Sequence, residues 1–219
     1  MSISQHYNNL NVQIQNLRDH LLPVPEDFDP SGDYSKDIIT KTIAFRVLAH
    51  AEIEYYLEER AKEVITNAWN IWKNQQSSGR VLMSLLAFSN VAAEPPSSIE
   101  PKQRSQNKIW SEKINLDDKI AKAKSEFFKN IKDNHGIKEA NLCKILLPLG
   151  FPHDKFDTTW VNDINSFGEG RGDFAHKTSF GITKLPNPED ELKAVQNLLN
   201  GLKSIDSILE GLLKLPDTL

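Results

Sequence analysis

Several sequence features that define other classes of protein are rare or absent in this chain. It has one cysteine, Cys143, among 219 residues, so no disulfide can form within it and a reducing compartment is expected. No stretch comes near the roughly 18 apolar residues that cross a bilayer, and the first residues lack the basic and apolar regions of a signal peptide. We therefore expect a cytoplasmic protein with no membrane partner. Cys143 stands in an apolar run and is expected to be a small buried core residue.

Positive charge is also scarce. The chain has 26 Lys and Arg against 30 Asp and Glu, which is a formal net charge of −4. Domains that coat duplex nucleic acid are usually basic, so the charge disfavours that role but allows a small basic site on an acidic surface. The sequence has neither a Walker-type phosphate loop nor a spacing of His and Cys that suits zinc. We expect no cofactor and no metal.

What the sequence does have is helical periodicity along most of its length. The pattern predicts helices over about 3–22, 37–74, 80–92, 117–134, 137–147 and 188–214. Because no segment predicts a strand, the expected fold is an all-α, up-and-down helical bundle. The apolar stripe of residues 37–74 is broad enough to be buried on more than one side. The four tryptophans are expected to be core or contact-surface residues rather than platforms on which bases stack.

Two segments interrupt these helices. Residues 94–116, which begin with a proline- and serine-rich stretch, are expected to be an insertion loop rather than a linker between domains. Residues 1–219 are therefore expected to form one domain, with a core at about 37–213 and an N-terminal helix at about 3–22. Residues 150–186 hold five of the ten glycines and are expected to be an irregular segment before the last long helix.

The most informative stretch is Arg171-Gly172-Asp173-Phe174-Ala175-His176. An imidazole moves protons near neutral pH, and a guanidinium is always charged and forks onto phosphate oxygens. An Arg–His pair in one cleft can therefore cleave a phosphodiester without a metal. A regular helix would turn residues five apart away from one another, but the glycines favour a loop-to-helix junction, whose amides attract phosphate. The spacing alone favours an ordinary surface arginine and a structural histidine.

Together with its surroundings, this stretch resembles the Arg-x4–6-His signature of HEPN domains, which are helical domains of many prokaryotic toxins and defence ribonucleases. Ala175 fits the family's small or apolar residue before the histidine, and the preceding helix carries Trp160 and Ile164. The run 49–58 is similar to the family's early helix, in which an acidic residue precedes aromatic and leucine positions. The resemblance is to stand-alone HEPN proteins of the RiboL-PSP and MAE-28990 types, and it covers about 37–213. Gly172 departs from the Asn, Asp or His that many members have there.

The resemblance implies a metal-independent endoribonuclease in which the ribose 2′-OH attacks the phosphate and a 2′,3′-cyclic phosphate remains. In this mechanism Arg171 clamps the scissile phosphate and His176 moves the proton. Asp173 substitutes for the polar residue that Gly172 replaces and supports the pair. Lys177, directly after the histidine, and Thr178 are candidates for contact with RNA phosphates.

The resemblance also implies partners. They are an RNA substrate, a second copy in a homodimer whose two Arg–His pairs face each other, and an antitoxin of the nucleotidyltransferase type or another operon partner. The implied role is a toxin or an antiviral defence effector. The family has inactive members, so a catalytically inactive helical module that binds a nucleotide or a protein partner stays open as the alternative. A plain helical interaction module with a structural Arg–His pair stays open as well.

Three positions on the long second helix bear on the same site. Glu54 either orients His176 or pairs with Arg171, or it is a solvated helix carboxylate, and the sequence does not separate these possibilities. Arg46, His50 and Glu54 lie at i, i+4 and i+8 and share one helix face. Ordinary pairing along the helix is favoured over a polar stripe that faces the site.

Overall fold

The protein is a bundle of helices around one long central helix. The computed structural model describes residues 3–91, 95, 98, 115–176 and 185–214, and of residues 170–176 it describes the backbone alone. In this part of the chain there are seven α-helices and no strand, which confirms the predicted all-α bundle. The helices are α1 (Gln5–Leu21), α2 (Lys36–Gln75), α3 (Arg80–Ala87), α4 (Leu116–Lys132), α5 (Glu139–Leu146), α6 (Thr158–His176) and α7 (Pro188–Leu212).

The central helix is α2, whose 40 residues make it about 60 Å long. Ser35 caps its start by accepting a hydrogen bond from the Ile38 N–H at 3.3 Å. The helix ends where Gln76 takes a left-handed conformation. Each of the other six helices packs against α2. One face of α2 is therefore buried along most of its length. The buried residues of this face include Phe45, Ala49, Ile53, Leu57, Ala61, Val64 and Ala68.

A buried polar cluster fixes the N-terminal helix to the rest of the bundle. The Asp206 carboxylate on α7 accepts hydrogen bonds from the Ser4 N–H at 2.8 Å and the Ser4 hydroxyl at 2.6 Å. It also accepts one from the Tyr56 hydroxyl at 3.0 Å and pairs with Arg60 at 3.0 Å. Since charged side chains are buried only when they are paired, this cluster specifies how α1, α2 and α7 meet.

The main difference from the sequence prediction lies in α6. This helix runs through Gly168, Gly170 and Gly172 as far as His176, so the predicted loop-to-helix junction at these glycines is wrong. Irregular backbone is found earlier in the predicted segment, around the short 3₁₀ turn His153–Lys155. The reason is that packing of one helix face outweighs the low helix propensity of glycine.

Smaller differences occur elsewhere. The third helix ends at Ala87 rather than near residue 92, and Cys143 is half-buried on α5 rather than a core residue. Trp160 is buried, and Trp69 and Trp72 are half-buried against the core. Most of the predicted insertion loop, 94–116, lies outside the described residues, so the proposed organisation as one domain stays a prediction. None of the described helices is both long and apolar enough to cross a membrane.

Candidate active site

The structure places the three predicted positions of the Arg–His stretch on the last turns of α6. Arg171, Asp173 and His176 all belong to that helix, which ends at His176. In an ideal α-helix, positions five apart are separated by about 140° around the axis and about 7.5 Å along it. Positions 171 and 176 therefore lie on different sides of α6. Position 171 follows Phe167 by one turn and so lies on the same side as Phe167.

Arg46 of α2 holds α6 one turn before position 171. Its Nη1 donates to both carboxylate oxygens of Glu191 on α7, at 2.6 and 2.8 Å. Its Nη2 donates to the backbone carbonyl oxygens of Ser166 and Phe167, at 3.3 and 3.0 Å. The guanidinium carbon also lies 4.6 Å from the centre of the Phe167 ring, within range of a cation–π contact. One guanidinium therefore joins α2, α6 and α7.

The ion pair of Arg46 and Glu191 is largely shielded from water. The two side chains are 13% and 8% exposed. Burial raises the pKa of the Glu191 carboxyl, while the charge and hydrogen bonds of Arg46 oppose this shift. A buried pair of this kind is costly to break from one side, because the remaining charge has no partner.

His50 and Glu54 extend this surface along α2. The His50 side chain is 2% exposed, and its ring lies nearly parallel to that of Phe167 with the centres 6.4 Å apart. One Glu54 oxygen is 3.6 Å from His50 Nδ1, and the other accepts a hydrogen bond from the Gly136 N–H at 2.5 Å. Gly136 has a φ of 138°, which an L side chain rarely adopts. Glu54 thus fixes the turn after α4, while its predicted contact with Arg171 or His176 stays a prediction.

The start of α5 packs closely against α6. A Cβ atom at Gly168 would lie 2.9 Å from Lys138 Cγ, so this approach depends on glycine. Lys138 Nζ lies 3.4 Å from a carboxylate oxygen of Glu169, and the Asn165 side chain accepts a hydrogen bond from the Glu139 N–H at 2.8 Å. The helix that carries positions 171 and 176 is therefore held from two sides, by α2 and by the start of α5.

A family model described as RiboL-PSP-HEPN matches residues 8–211, which is most of the 219-residue chain. The chain belongs to the RiboL-PSP-HEPN family. This confirms the resemblance to HEPN domains. The match also includes most of α1, which lies outside the range of about 37–213 expected from motifs. No curated protein and no solved structure matches the chain significantly.

Two contacts near α6 in this RiboL-PSP-HEPN protein, those of Arg46 with Glu191 and with Phe167, are not predicted by the sequence. The sequence favours pairing of Arg46 along its own helix, but the structure shows that Arg46 reaches Glu191 and the carbonyl oxygens of α6. His50 and Glu54 lie close to each other along the helix, as the spacing predicts. Neither Glu191 nor Phe167 carries a local signal of its role. Glu191 is one of three carboxylates in the first turn of α7, a common feature of helix starts.

A cleft of about 340 Å³ opens beside Arg46, between α6 and α7. Its lining includes Ser166 and Phe167 on α6 and Lys193 and Asn197 on α7. The cleft therefore borders α6 one turn before position 171. Among the residues whose side chains are described, no cluster of three or more His, Cys, Asp or Glu is placed to hold a metal ion. Lys177 and Thr178 lie outside the described residues.

Proposed function

We propose that this RiboL-PSP-HEPN protein is an endoribonuclease that cuts RNA without a metal ion. The observation that carries the proposal is an Arg171–His176 pair at the end of α6 in a chain of this family. His176 accepts the proton of the ribose 2′-OH, and the 2′ oxygen attacks the phosphorus. The bond to the 5′ oxygen breaks and that oxygen takes up a proton, while Arg171 stabilises the charge on the phosphate oxygens. The products are a 2′,3′-cyclic phosphate and a 5′-OH end.

The remaining predicted residues take supporting parts in this proposal. Asp173 supports the pair from the turn between its members, and Lys177 and Thr178 bind phosphates next to the cut. Glu54 acts from α2, where it already holds His50 and the turn at Gly136. Its proposed role is to orient His176 or to pair with Arg171.

A homodimer is part of the proposal, because positions 171 and 176 lie on different sides of one α6. Two copies in a symmetric arrangement let an arginine and a histidine approach the same phosphate. The surface we assign to this contact is a stripe on the solvent side of α2, formed by Ala44, Leu48, Ala51 and Tyr55. Leu48 is 44% and Tyr55 62% exposed, and exposed apolar stripes mark contact surfaces. The alternating spacing of four and three is that of paired helices.

The biological role that fits such a ribonuclease is that of a toxin or an antiviral defence effector in the cytoplasm. Unchecked cleavage of cellular RNA stops growth, so a protein of this kind needs an inhibitor. An antitoxin of the nucleotidyltransferase type, or another product of the same operon, is the partner we propose. Family membership supports this role.

Expression in bacterial cells tests the proposal. The wild type is expected to slow growth, while His176→Ala and Arg171→Ala are tolerated at equal abundance. His20→Ala removes an exposed histidine of α1 and serves as the control, with the growth effect of the wild type. Growth inhibition by His176→Ala equal to that of the wild type would contradict the proposed catalytic role. Normal growth with all four proteins would contradict the toxin role.

A further inference from the structure

The end of α6 is a poor helix by its sequence. It has glycines at positions 168, 170 and 172, and each glycine weakens a helix relative to alanine because of the backbone freedom it loses. The helix nevertheless continues to His176. Contacts from other helices must therefore compensate, and these contacts set where positions 171 and 176 lie.

Arg46 acts on the backbone of this weak segment. Its Nη2 donates to the carbonyl oxygens of Ser166 and Phe167. In an α-helix these two oxygens accept from the N–H groups of residues 170 and 171. A carbonyl oxygen has two lone pairs and can serve both donors. Arg46 thus contacts the same two carbonyl oxygens that accept the helical hydrogen bonds of the turn leading into Arg171.

The guanidinium is itself held in place. Nη1 is fixed by both oxygens of Glu191, and the face of the guanidinium lies against Phe167. A guanidinium is planar and presents its donors in a rigid fork, whereas a lysine ammonium is a single point of charge on a flexible stem. Only a guanidinium can therefore contact the Glu191 carboxylate on α7 and the carbonyl oxygens of α6 at the same time.

We propose that Arg46 is a positioning residue for the proposed ribonuclease reaction. It sets the orientation of the turn of α6 that carries Arg171, through the carbonyl oxygens of residues 166 and 167, and it does not itself touch RNA. The inference rests on the proposed function for its kinetic readout. It has a second readout, in the backbone of α6, that does not depend on cleavage.

The competing explanation is that Arg46 and Glu191 only stabilise the bundle, and a double substitution separates the two. Arg46→Met alone leaves a buried carboxylate without its partner and is expected to unfold the protein partly. Arg46→Met/Glu191→Met removes both charges, and replacing a buried pair by apolar side chains of similar volume is often neutral for stability. The double variant lacks the donors to the carbonyls. Glu191→Gln is the comparison variant, since it removes the counter-charge but keeps the Arg46 donors to the carbonyl oxygens and a side-chain acceptor for Nη1.

Purified wild type, Glu191→Gln and the double variant are compared by thermal melting, by steady-state cleavage of an RNA oligonucleotide, and by amide hydrogen exchange. With a melting temperature close to that of the wild type, the double variant is expected to lose about 100-fold in kcat, as small misplacements of reacting groups do. Its KM is expected to stay within about threefold, because Arg171 acts mainly on the charge that develops in the transition state and the other proposed RNA contacts are kept. Amides of residues 170–176 are expected to exchange faster, while those of α2 do not. Glu191→Gln is expected to melt at a lower temperature, because Arg46 loses its counter-charge, but to keep the kcat and the exchange of residues 170–176 of the wild type, because the Arg46 donors to the carbonyl oxygens remain.

Wild-type cleavage and exchange in the folded double variant would overturn the inference. So would a loss of kcat that disappears when the assay is run well below the melting temperature of the double variant, because that result describes a stability role alone. If the wild type itself fails to cleave RNA, the proposed function falls. The exchange of residues 170–176 then still decides whether Arg46 orders the end of α6.

Discussion

At the scale of single residues, two arginines of α2 that are largely shielded from water, Arg46 and Arg60, have different kinds of partner. Arg46 reaches backbone oxygens of another helix, whereas Arg60 is surrounded by the carboxylates of Glu63, Asp206 and Glu210. Burial acts to lower the pKa of Arg60, but the hydrogen bond with Glu63 and the charge of Asp206 outweigh it, so the pKa is raised. Arg60 therefore stays charged in the core and requires its acidic partners.

Removal of the Asp206 carboxylate is expected to destabilise the whole bundle. Asp206→Ala takes the acceptor from the Ser4 and Tyr56 donors and a counter-charge from Arg60. We expect the free energy of unfolding to fall by about 3–5 kcal/mol, as measured by urea denaturation. Lys203→Ala, an exposed position of the same helix, is expected to change it by less than about 0.5 kcal/mol. A loss below about 1 kcal/mol for Asp206→Ala would show that the cluster does not hold α1, α2 and α7 together.

Only some residues of the candidate site can be predicted from the sequence. Arg171 and His176 are proposed from a short motif, and Arg46, His50 and Glu54 share a helix face by their spacing, which are both local patterns. Arg46 and Glu191 are 145 positions apart, and their contact depends on how α2 and α7 pack. No local pattern encodes that distance, so the partner of Arg46 becomes visible only in the folded chain.

At the scale of helices, apolar periodicity predicted the described elements within a few residues in most cases. Their amphipathic faces are long and regular, and periodicity reports such faces directly. It failed at α6, where three glycines suggest a loop and the packing of Phe167, Gly168 and Asn165 maintains a helix. Local propensity is a weak guide where neighbouring helices supply most of the stability.

Two glycines of α7 provide a matched test of this packing. A Cβ at Gly201 would overlap the Trp160 indole, while nothing lies near a Cβ at Gly211. Gly201→Ala is expected to lower the free energy of unfolding by about 1–3 kcal/mol because of overpacking. Gly211→Ala is expected to raise it by up to about 1 kcal/mol, because alanine favours the helix.

Chemical denaturation followed by circular dichroism measures both changes. The tryptophan fluorescence of the protein is expected to shift in Gly201→Ala alone, because only this Cβ meets an indole, that of Trp160. Stabilisation by Gly201→Ala equal to that of Gly211→Ala would mean that the indole moves aside freely. The close approach of α6 and α7 would then not depend on glycine at position 201.

At the scale of the whole molecule, α2 has two surfaces with different proposed uses. One side holds α6 through Arg46 and His50. The solvent side carries exposed Leu48 and Tyr55, which we assign to the contact with a second copy. The two surfaces share one helix, so the proposed dimer and the proposed site are coupled.

Leu48→Lys/Tyr55→Lys is expected to convert a dimer to a monomer, because two charges in an apolar contact lose their hydration. Sedimentation velocity measures the change, and RNA cleavage is expected to fall with it while the circular dichroism spectrum stays the same. The control is Val12→Lys/Met83→Lys, which adds the same charges at exposed positions 56% and 67% accessible. An unchanged dimer in the first variant would show that the interface lies elsewhere.

RNA cleavage in the presence of a chelator decides whether Arg171 and His176 cut RNA without a metal ion. Purified wild type and His176→Ala are incubated with total cellular RNA in excess EDTA, and the new ends are mapped and their chemistry determined. Cleavage by the wild type alone is expected, with 2′,3′-cyclic phosphate and 5′-OH ends. Cleavage that EDTA abolishes, or the absence of cleavage by both folded proteins, would contradict the proposed mechanism.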